Sequence, residues 1–335
     1  MLTAMHWGPP ARRFTFERVF VHVRDRLWQA TARTGIPAMI HLASILAATD
    51  LSAPSRLAAD RAARLAHETG ATLHLLHVLP GGALQELRQW LGAGHAAENQ
   101  LQEDARRELH ELAARLQTMR HAAVSPEAAS GPVLDEIGRH AERLDAQLLV
   151  LGARGAGYLR RLMVGTTAER LLRRTTRPVL VVRQTPHEPY RQALVALDFS
   201  PWSAPSLSAA RHVAPHAHLV LMSAFQIPFE DKLRFAGVDD RTIGEYRQQA
   251  RLDAAARLDA FAQDSGLKPG QWTPCVVEGE ASLRIVEQAQ EHECDLVVLG
   301  KHGQSAAEDL LLGSVTKHVL AEGSTDLLVS GTRQP

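Results

Sequence analysis

GARGAGYLRRLMVGTT (152–167) and GKHGQSAAEDLLLGSV (300–315) lie 148 residues apart and share one skeleton, G-x-x-G-x9-G-[ST]. The skeleton sets Gly152, Gly155, Gly165 and Thr166 over Gly300, Gly303, Gly313 and Ser314. At the same offset LAATDLS (46–52) lies over LVALDFS (194–200), so Asp50 recurs as Asp198 and Ser52 as Ser200; Gly131 recurs as Gly279 and Ile137 as Ile285. The residues between these blocks have diverged. Turn chemistry alone does not hold a register over such a distance, so the repeat marks two copies of one structural plan. What both copies keep is glycine, a small hydroxyl and one acid, the set a phosphate-bearing ligand needs.

Outward from these blocks the chain alternates short apolar runs with helical periodicity. In the first copy strands are expected at Ala43–Thr49, Ala71–Val78, weakly at 121–125, then Gln147–Leu151 and Pro178–Val182. Helices are expected after a Ser52 or Ser55 cap as far as Gly70, from about Ala97 to Met119, over Val133–Leu144, and from Gly165 onward. The second copy repeats this order, with strands at Ala193–Leu197, His218–Ser223, Trp272–Val277, Asp295–Leu299 and Asp326–Ser330 and a first helix over Ser203–Ala214. Thr185–Tyr190, with Pro186 and Pro189, is the linker. Alternating strands and helices imply right-handed crossovers and parallel sheets covered on both faces. The expected fold class is therefore α/β: two tandem doubly wound domains, each a five-stranded parallel sheet of order 3-2-1-4-5 with helices on both faces. The boundaries are 39–185 and 186–335. Residues 1–38, with six arginines, fall outside the repeat and are expected to be a disordered extension more readily than a basic amphipathic arm.

In a doubly wound fold the ligand sits beyond the carboxyl ends of the strands where the winding reverses. Order 3-2-1-4-5 brings Asp50 beside Gly152 and Asp198 beside Gly300. The first two glycines of each motif are expected to turn the backbone with φ > 0 and present bare N–H groups. The third opens a helix whose positive end faces the pocket, with Thr166 or Ser314 as its cap or donating a hydroxyl hydrogen bond to phosphate. The acid has the wrong charge for phosphate and belongs at the nucleoside end. No G-x-x-x-x-G-K-[ST] occurs, and neither cluster reads G-x-G-x-x-G, which argues against a P-loop hydrolase and a standard dehydrogenase.

The 37 basic and 37 acidic residues cancel, leaving no bulk drive toward nucleic acid or an anionic membrane. No apolar run approaches a membrane span in length. Cys275 and Cys294, the two cysteines, form no C-x-x-C and suit a reducing cytoplasm. His212, His216 and His218 have no cysteine or acid to complete a zinc site, so no metal ligand is assigned.

The stretch LVVLGKHGQSAAEDLLLGSVTKHVL (296–320), with its first-half counterpart, resembles the ATP-binding signature of the universal stress protein family. The likeness extends over about 39–183 and 191–331. It implies domains that pair through their last strands, bind ATP, ADP or AMP, with Mg2+ as a candidate companion, and act in stress tolerance. By that resemblance Asp50 and Asp198 take the nucleoside. The glycines take phosphate with Thr166 and Ser314, and Thr167 and Val315 beside them join the binding set. Val78 would contact the base through its backbone, with Phe225 as its second-half equivalent. The resemblance implies a cytoplasmic sensor or regulator, an internal pseudo-dimer in which Val179–Val182 meets Asp326–Val329, a protein partner of unknown identity, and a further homodimer as an option. It assigns no catalytic residue. A slow ATP hydrolase or nucleotidyl transferase, or a scaffold with vestigial sites, are the alternatives. The halves depart from each other at Ala153-Arg154 against Lys301-His302, and at Arg160 and Arg161 against Glu308 and Asp309.

Overall fold

The computed structural model describes residues 42–81, 96–153, 165–227, 230–303 and 312–331. The extension 1–38, Gly155, Arg154, Arg160, Arg161, Glu308 and Asp309 lie outside the described residues. Both repeats belong to one unit, Met39–Pro335.

The first repeat runs β1 (Ser44–Thr49), α1 (Ala53–Thr69), β2 (Thr72–Pro80), α2 (Ala96–Arg120), β3 (Ala123–Gly131), α3 (Val133–Arg143), β4 (Leu148–Gly152), α4 (Thr166–Arg174) and β5 (Val179–Val182). The second runs β6 (Gln192–Ala196), α5 (Ser203–Val213), β7 (His218–Phe225), α6 (Glu230–Phe235), α7 (Asp240–Asp264), β8 (Trp272–Glu278), α8 (Ala281–Glu291), β9 (Leu296–Gly300), α9 (Ser314–Glu322) and β10 (Asp326–Ser330). Within each repeat the strands are parallel in the expected order 3-2-1-4-5. The two sheets are not separate. They fuse into one ten-stranded sheet, β3-β2-β1-β4-β5-β10-β9-β6-β7-β8, through a single antiparallel junction. There Leu327 faces Val181, Leu328 faces Leu180 and Val329 faces Val179. VLVV and DLLV are buried throughout, the pattern of strands covered on both sides. Left unpaired, each would expose a row of backbone donors and acceptors on an apolar edge.

Side chains alternate across this sheet. Ile45, Ala47 and Val195 meet Leu65 of α1, Leu109 of α2, Leu207 of α5 and Leu258 of α7 on one face. Leu46, Leu149, Leu194 and Val297 meet Ile137 of α3, Leu171 of α4, Ile285 of α8 and Val319 of α9 on the other. The edges are β3 and β8, and each carries a proline at the same repeat position, Pro126 and Pro274. Proline cannot donate to a further strand, so both ends of the sheet are blunted. β3 reaches Gly131, well beyond the weak strand expected at 121–125. SPEAASG shows no alternation, and its strand state comes from nine residues of pairing with β2. Gln147 and Asp295, at one repeat position, both accept hydrogen bonds from the backbone where the first strand of their half begins: Gln147 from Ala43 and Ser44, Asp295 from Arg191 and Gln192. Cys275 and Cys294 are free and buried, and burial pushes their thiols up to about 11 and about 12.

The linker is not a loose tether. Asp326, wholly buried at the start of β10, accepts through Oδ1 from the backbone N–H of Arg183 (2.7 Å) and Gln184 (3.0 Å). Its Oδ2 accepts from the Tyr190 hydroxyl at 2.7 Å, and Arg61 Nε of α1 stands 3.5 Å from that oxygen. The Arg61 guanidinium lies 4.1 Å above the Tyr190 ring and donates to the Glu188 carbonyl. Burial pushes the Asp326 carboxyl up, while these donors and Arg61 pull it down. The corresponding first-half residue is Pro178, so the device exists once. Asp326→Ala strands Arg61 in the interior and releases both linker N–H groups. It is expected to lower the unfolding free energy in urea by about 3–5 kcal/mol, the cost of breaking a buried ion pair from one side. A loss under about 1 kcal/mol, the scale of an exposed pair, would contradict this role.

Candidate functional site

In each half an acid just past the first strand is followed by a left-handed, non-glycine residue: Leu51 at φ 63° and Phe199 at φ 59°. That conformation costs an L-residue about 1–2 kcal/mol, so surrounding contacts must hold it. Phe199 is held by an edge-on contact with Phe261 (6.4 Å between centroids) and by the Arg257 guanidinium 4.2 Å above its ring. The turn folds the acid back on its own serine. Ser52 donates to Asp50 Oδ1 through its N–H (3.1 Å) and hydroxyl (2.5 Å). Ser200 N–H and the Ser203 hydroxyl donate to Asp198 Oδ1 at 3.0 and 3.2 Å. Ser52 occupies the N-cap position of α1, but its hydroxyl serves Asp50 and caps no helix N–H.

Asp198 Oδ2 is turned toward the glycine motif: a Cβ added to Gly303 would stand 3.0 Å from it. This close approach sets the turn after the first strand against the turn after the fourth. The described glycines of the second motif answer to such close approaches and not to positive φ, contrary to the expectation from sequence. Gly300, Gly303 and Gly313 are not left-handed. A Cβ at Gly300 would meet Trp202 Cβ at 2.9 Å and the His302 carbonyl at 3.0 Å, and one at Gly313 would meet the Lys301 carbonyl at 3.3 Å. The left-handed glycines of the repeat are instead Gly131 and Gly279, at the ends of β3 and β8.

Gly165 and Gly313 are the N-caps of α4 and α9. Their N–H groups close the loop in the same way, onto the carbonyls of Ala153 (2.7 Å) and Lys301 (3.1 Å). Thr166 and Ser314 therefore begin the helices without capping them, and both are exposed. Thr316 provides a hydroxyl contact that was not foreseen, to the Gly300 carbonyl at 3.0 Å. The first-turn N–H groups of each helix have no intrahelical acceptor and sit at its positive end.

In the second half these elements enclose a cavity of about 510 Å³. Asp198, Gly300, Gly303, Gly313, Ser314 and Val315 all line it, above an apolar floor of Met222, Ala224, Ile285 and Leu299. Phe225 does not; it lines a separate cavity of about 530 Å³ with Arg247, Arg251 and Arg284. The reason is register. Ala48 pairs with Leu76, while its counterpart Ala196 pairs with Met222, so β7 is displaced by two residues from the 148-residue offset. The structural equivalent of Val78 is Ala224. A shorter helix between the first two strands, 11 residues in α5 against 17 in α1, accompanies the shift. Trp202 and His302 were not foreseen as a pair. Their rings lie 5.0 Å apart on the cavity wall, where the first half has Pro54 and Arg154 at the offset of 148. In the first half Asp50 follows β1 and Gly152 ends β4, which pairs with β1, while Gly165, Thr166 and Thr167 open α4; Val78 is buried near the end of β2. Among the described residues no group of three or more His, Cys, Asp or Glu side chains could hold a metal.

The model of the universal stress protein family matches residues 42–183 and again 189–330. The chain belongs to the universal stress protein family. It carries two tandem domains of that family, and its role lies in stress response. Universal stress protein G of Salmonella typhimurium is 37% identical over 125 residues, 36% of this chain and 82% of its own. A universal stress protein of Mycolicibacterium smegmatis is 27% identical over 301 residues, 85% of this chain and 96% of its own. The crystal structure of a universal stress protein from Archaeoglobus fulgidus matches with a TM-score of 0.61 at 19% identity, covering 85% of this chain and 97% of that one, which bears on the fold alone. For this tandem member, the left-handed turn after Asp198 reverses a usual preference. Phe199→Gly should be more stable than Phe199→Ala by about 1 kcal/mol in chemical denaturation, because only glycine adopts that φ without cost. The ordinary order, alanine above glycine, would show that the turn is not held left-handed in solution.

Proposed function

We propose that this tandem universal stress protein binds an adenine nucleotide, ATP, ADP or AMP with Mg2+ as companion, and acts through binding as a sensor or regulator. The observation that carries the reading is that Asp198 and the motif glycines Gly300, Gly303 and Gly313 line one 510 Å³ cavity, with Asp198 Oδ2 close enough to Gly303 that any side chain there would crowd it. It supports a site with two chemically distinct ends. At one end the carboxylate, its Oδ1 held by Ser200 and Ser203, is set to accept from ribose hydroxyls or a base amine. At the other, the first-turn N–H groups of α9 and the Ser314 hydroxyl suit phosphate oxygens. The cavity volume lies within the range of about 300–1,000 Å³ usual for small-molecule sites. The apolar floor suits the flat face of a base, and Trp202 with His302 adds an aromatic wall.

ATP–Mg2+ titrated into the full chain should release heat and change the emission of Trp202, and Trp202→Phe should remove the emission change while heat persists. Gly313→Val enlarges a side chain whose Cβ alone would stand 3.3 Å from the Lys301 carbonyl. It should weaken binding at the second half at least tenfold with an unchanged far-UV spectrum. No heat and no emission change with ATP, ADP or AMP at millimolar concentration would overturn the reading.

A further inference from the structure

Between Gly300 and His302, which line the cavity, stands Lys301, which does not. Its side chain crosses to the other half of the molecule. Lys301 is buried, and its ammonium donates to the carbonyls of Arg173 (3.0 Å) and Thr175 (3.2 Å), at the carboxyl end of α4. These are carbonyls that a helix end leaves without intrahelical donors, and a cation there also meets the negative end of the helix dipole. The opposite end of α4 is Gly165 and Thr166, the phosphate end of the first-half site. A nine-residue helix, about 13 Å of rigid rod, thus has the glycine loop of one site at its foot and the anion-binding turn of the other at its head.

The reciprocal connection is built differently. The residue matching Lys301 is Ala153, which has no arm to extend. The carboxyl end of α9 receives Arg183 instead, whose guanidinium donates to the Leu320 carbonyl. Arg183 follows β5 and is fixed through its own N–H to Asp326, so it belongs to the linker and not to a glycine loop.

We infer that Lys301 couples the two sites: a nucleotide drawing the 300–303 backbone toward itself in the second half moves the ammonium at the end of α4 and changes the order of the first-half site. This rests on the nucleotide reading above. A side chain rooted beside one site and ending on the other site's helix lets ligand at the first shift the equilibrium of the second. Because coupling is reciprocal, the first site must bias the second by the same factor.

Hydrogen exchange of the 166–175 segment tests this in the full chain carrying Asp50→Ala, which confines ATP to the second half, with heat of binding measured in parallel. ATP should slow exchange there by about fivefold or more, the lower range of usual coupling. With Lys301→Met added, binding heat should remain and the slowing should fall below about twofold. Heat without any slowing in the Asp50→Ala chain, or equal slowing with Lys301→Met, would overturn the coupling and leave nucleotide binding intact. The first of these outcomes needs no Lys301 variant, so the test survives if that variant fails to fold. Absence of heat in the Asp50→Ala chain would overturn the coupling together with the reading it rests on.

Discussion

The antiparallel pairing of β5 with β10 is the contact on which everything else in this molecule depends. Five parallel strands leave one apolar edge strand, VLVV or DLLV, with nothing beside it. Joining the two edges removes both liabilities and converts two half-molecules into one sheet with two cores. The outer edges of that sheet are then the strands carrying Pro126 and Pro274. Asp326 serves the junction by gathering the linker N–H groups, Tyr190 and Arg61 at its border. A buried carboxylate is costly unless fully partnered, and this one has two backbone donors, a phenol and a guanidinium.

The junction also decides how the two halves face each other. β4 and β9 are the strands next to the junction, so Lys301, just past β9, lies beside the first half. That proximity lets Lys301 reach α4. The halves differ at this position: Lys301 reaches the carboxyl end of α4, while Arg183 of the linker reaches the carboxyl end of α9.

Much of this was legible in the chain. The repeat at 148 residues and the alternation of strands and helices are read from the residues themselves, and the strand order from the rules of doubly wound sheets. The meeting of Val179–Val182 with Asp326–Val329 was implied by the family resemblance alone. The glycine positions were legible too, but not their reason. Glycine serves φ > 0 and close approach equally well, and only the distances to Trp202, Asp198 and the Lys301 carbonyl separate the two. The strain sits one residue after each acid, at Leu51 and Phe199, side chains that carry no mark of a left-handed turn. Phe225 was matched to Val78 through the likeness of MSAF to LLHV, one residue past Ala224, the position that strand pairing makes equivalent. β3 was cut short because SPEAASG has no alternation and only two small apolar residues, Ala128 and Ala129, and its strand state is imposed by pairing with β2. Lys301 looked like a charged motif residue, and nothing in sequence spacing could reveal that its partner lies in the other half.

The most direct test of the account is a crystal structure of the full chain grown with ATP–Mg2+. The account expects the nucleoside beside Asp198 and Ala224, and phosphate density over the first-turn N–H groups of α9 beside Ser314. Nucleotide seated instead in the cavity lined by Phe225 and Arg251, or a cavity at Asp198 that stays empty at saturating ATP, would contradict it.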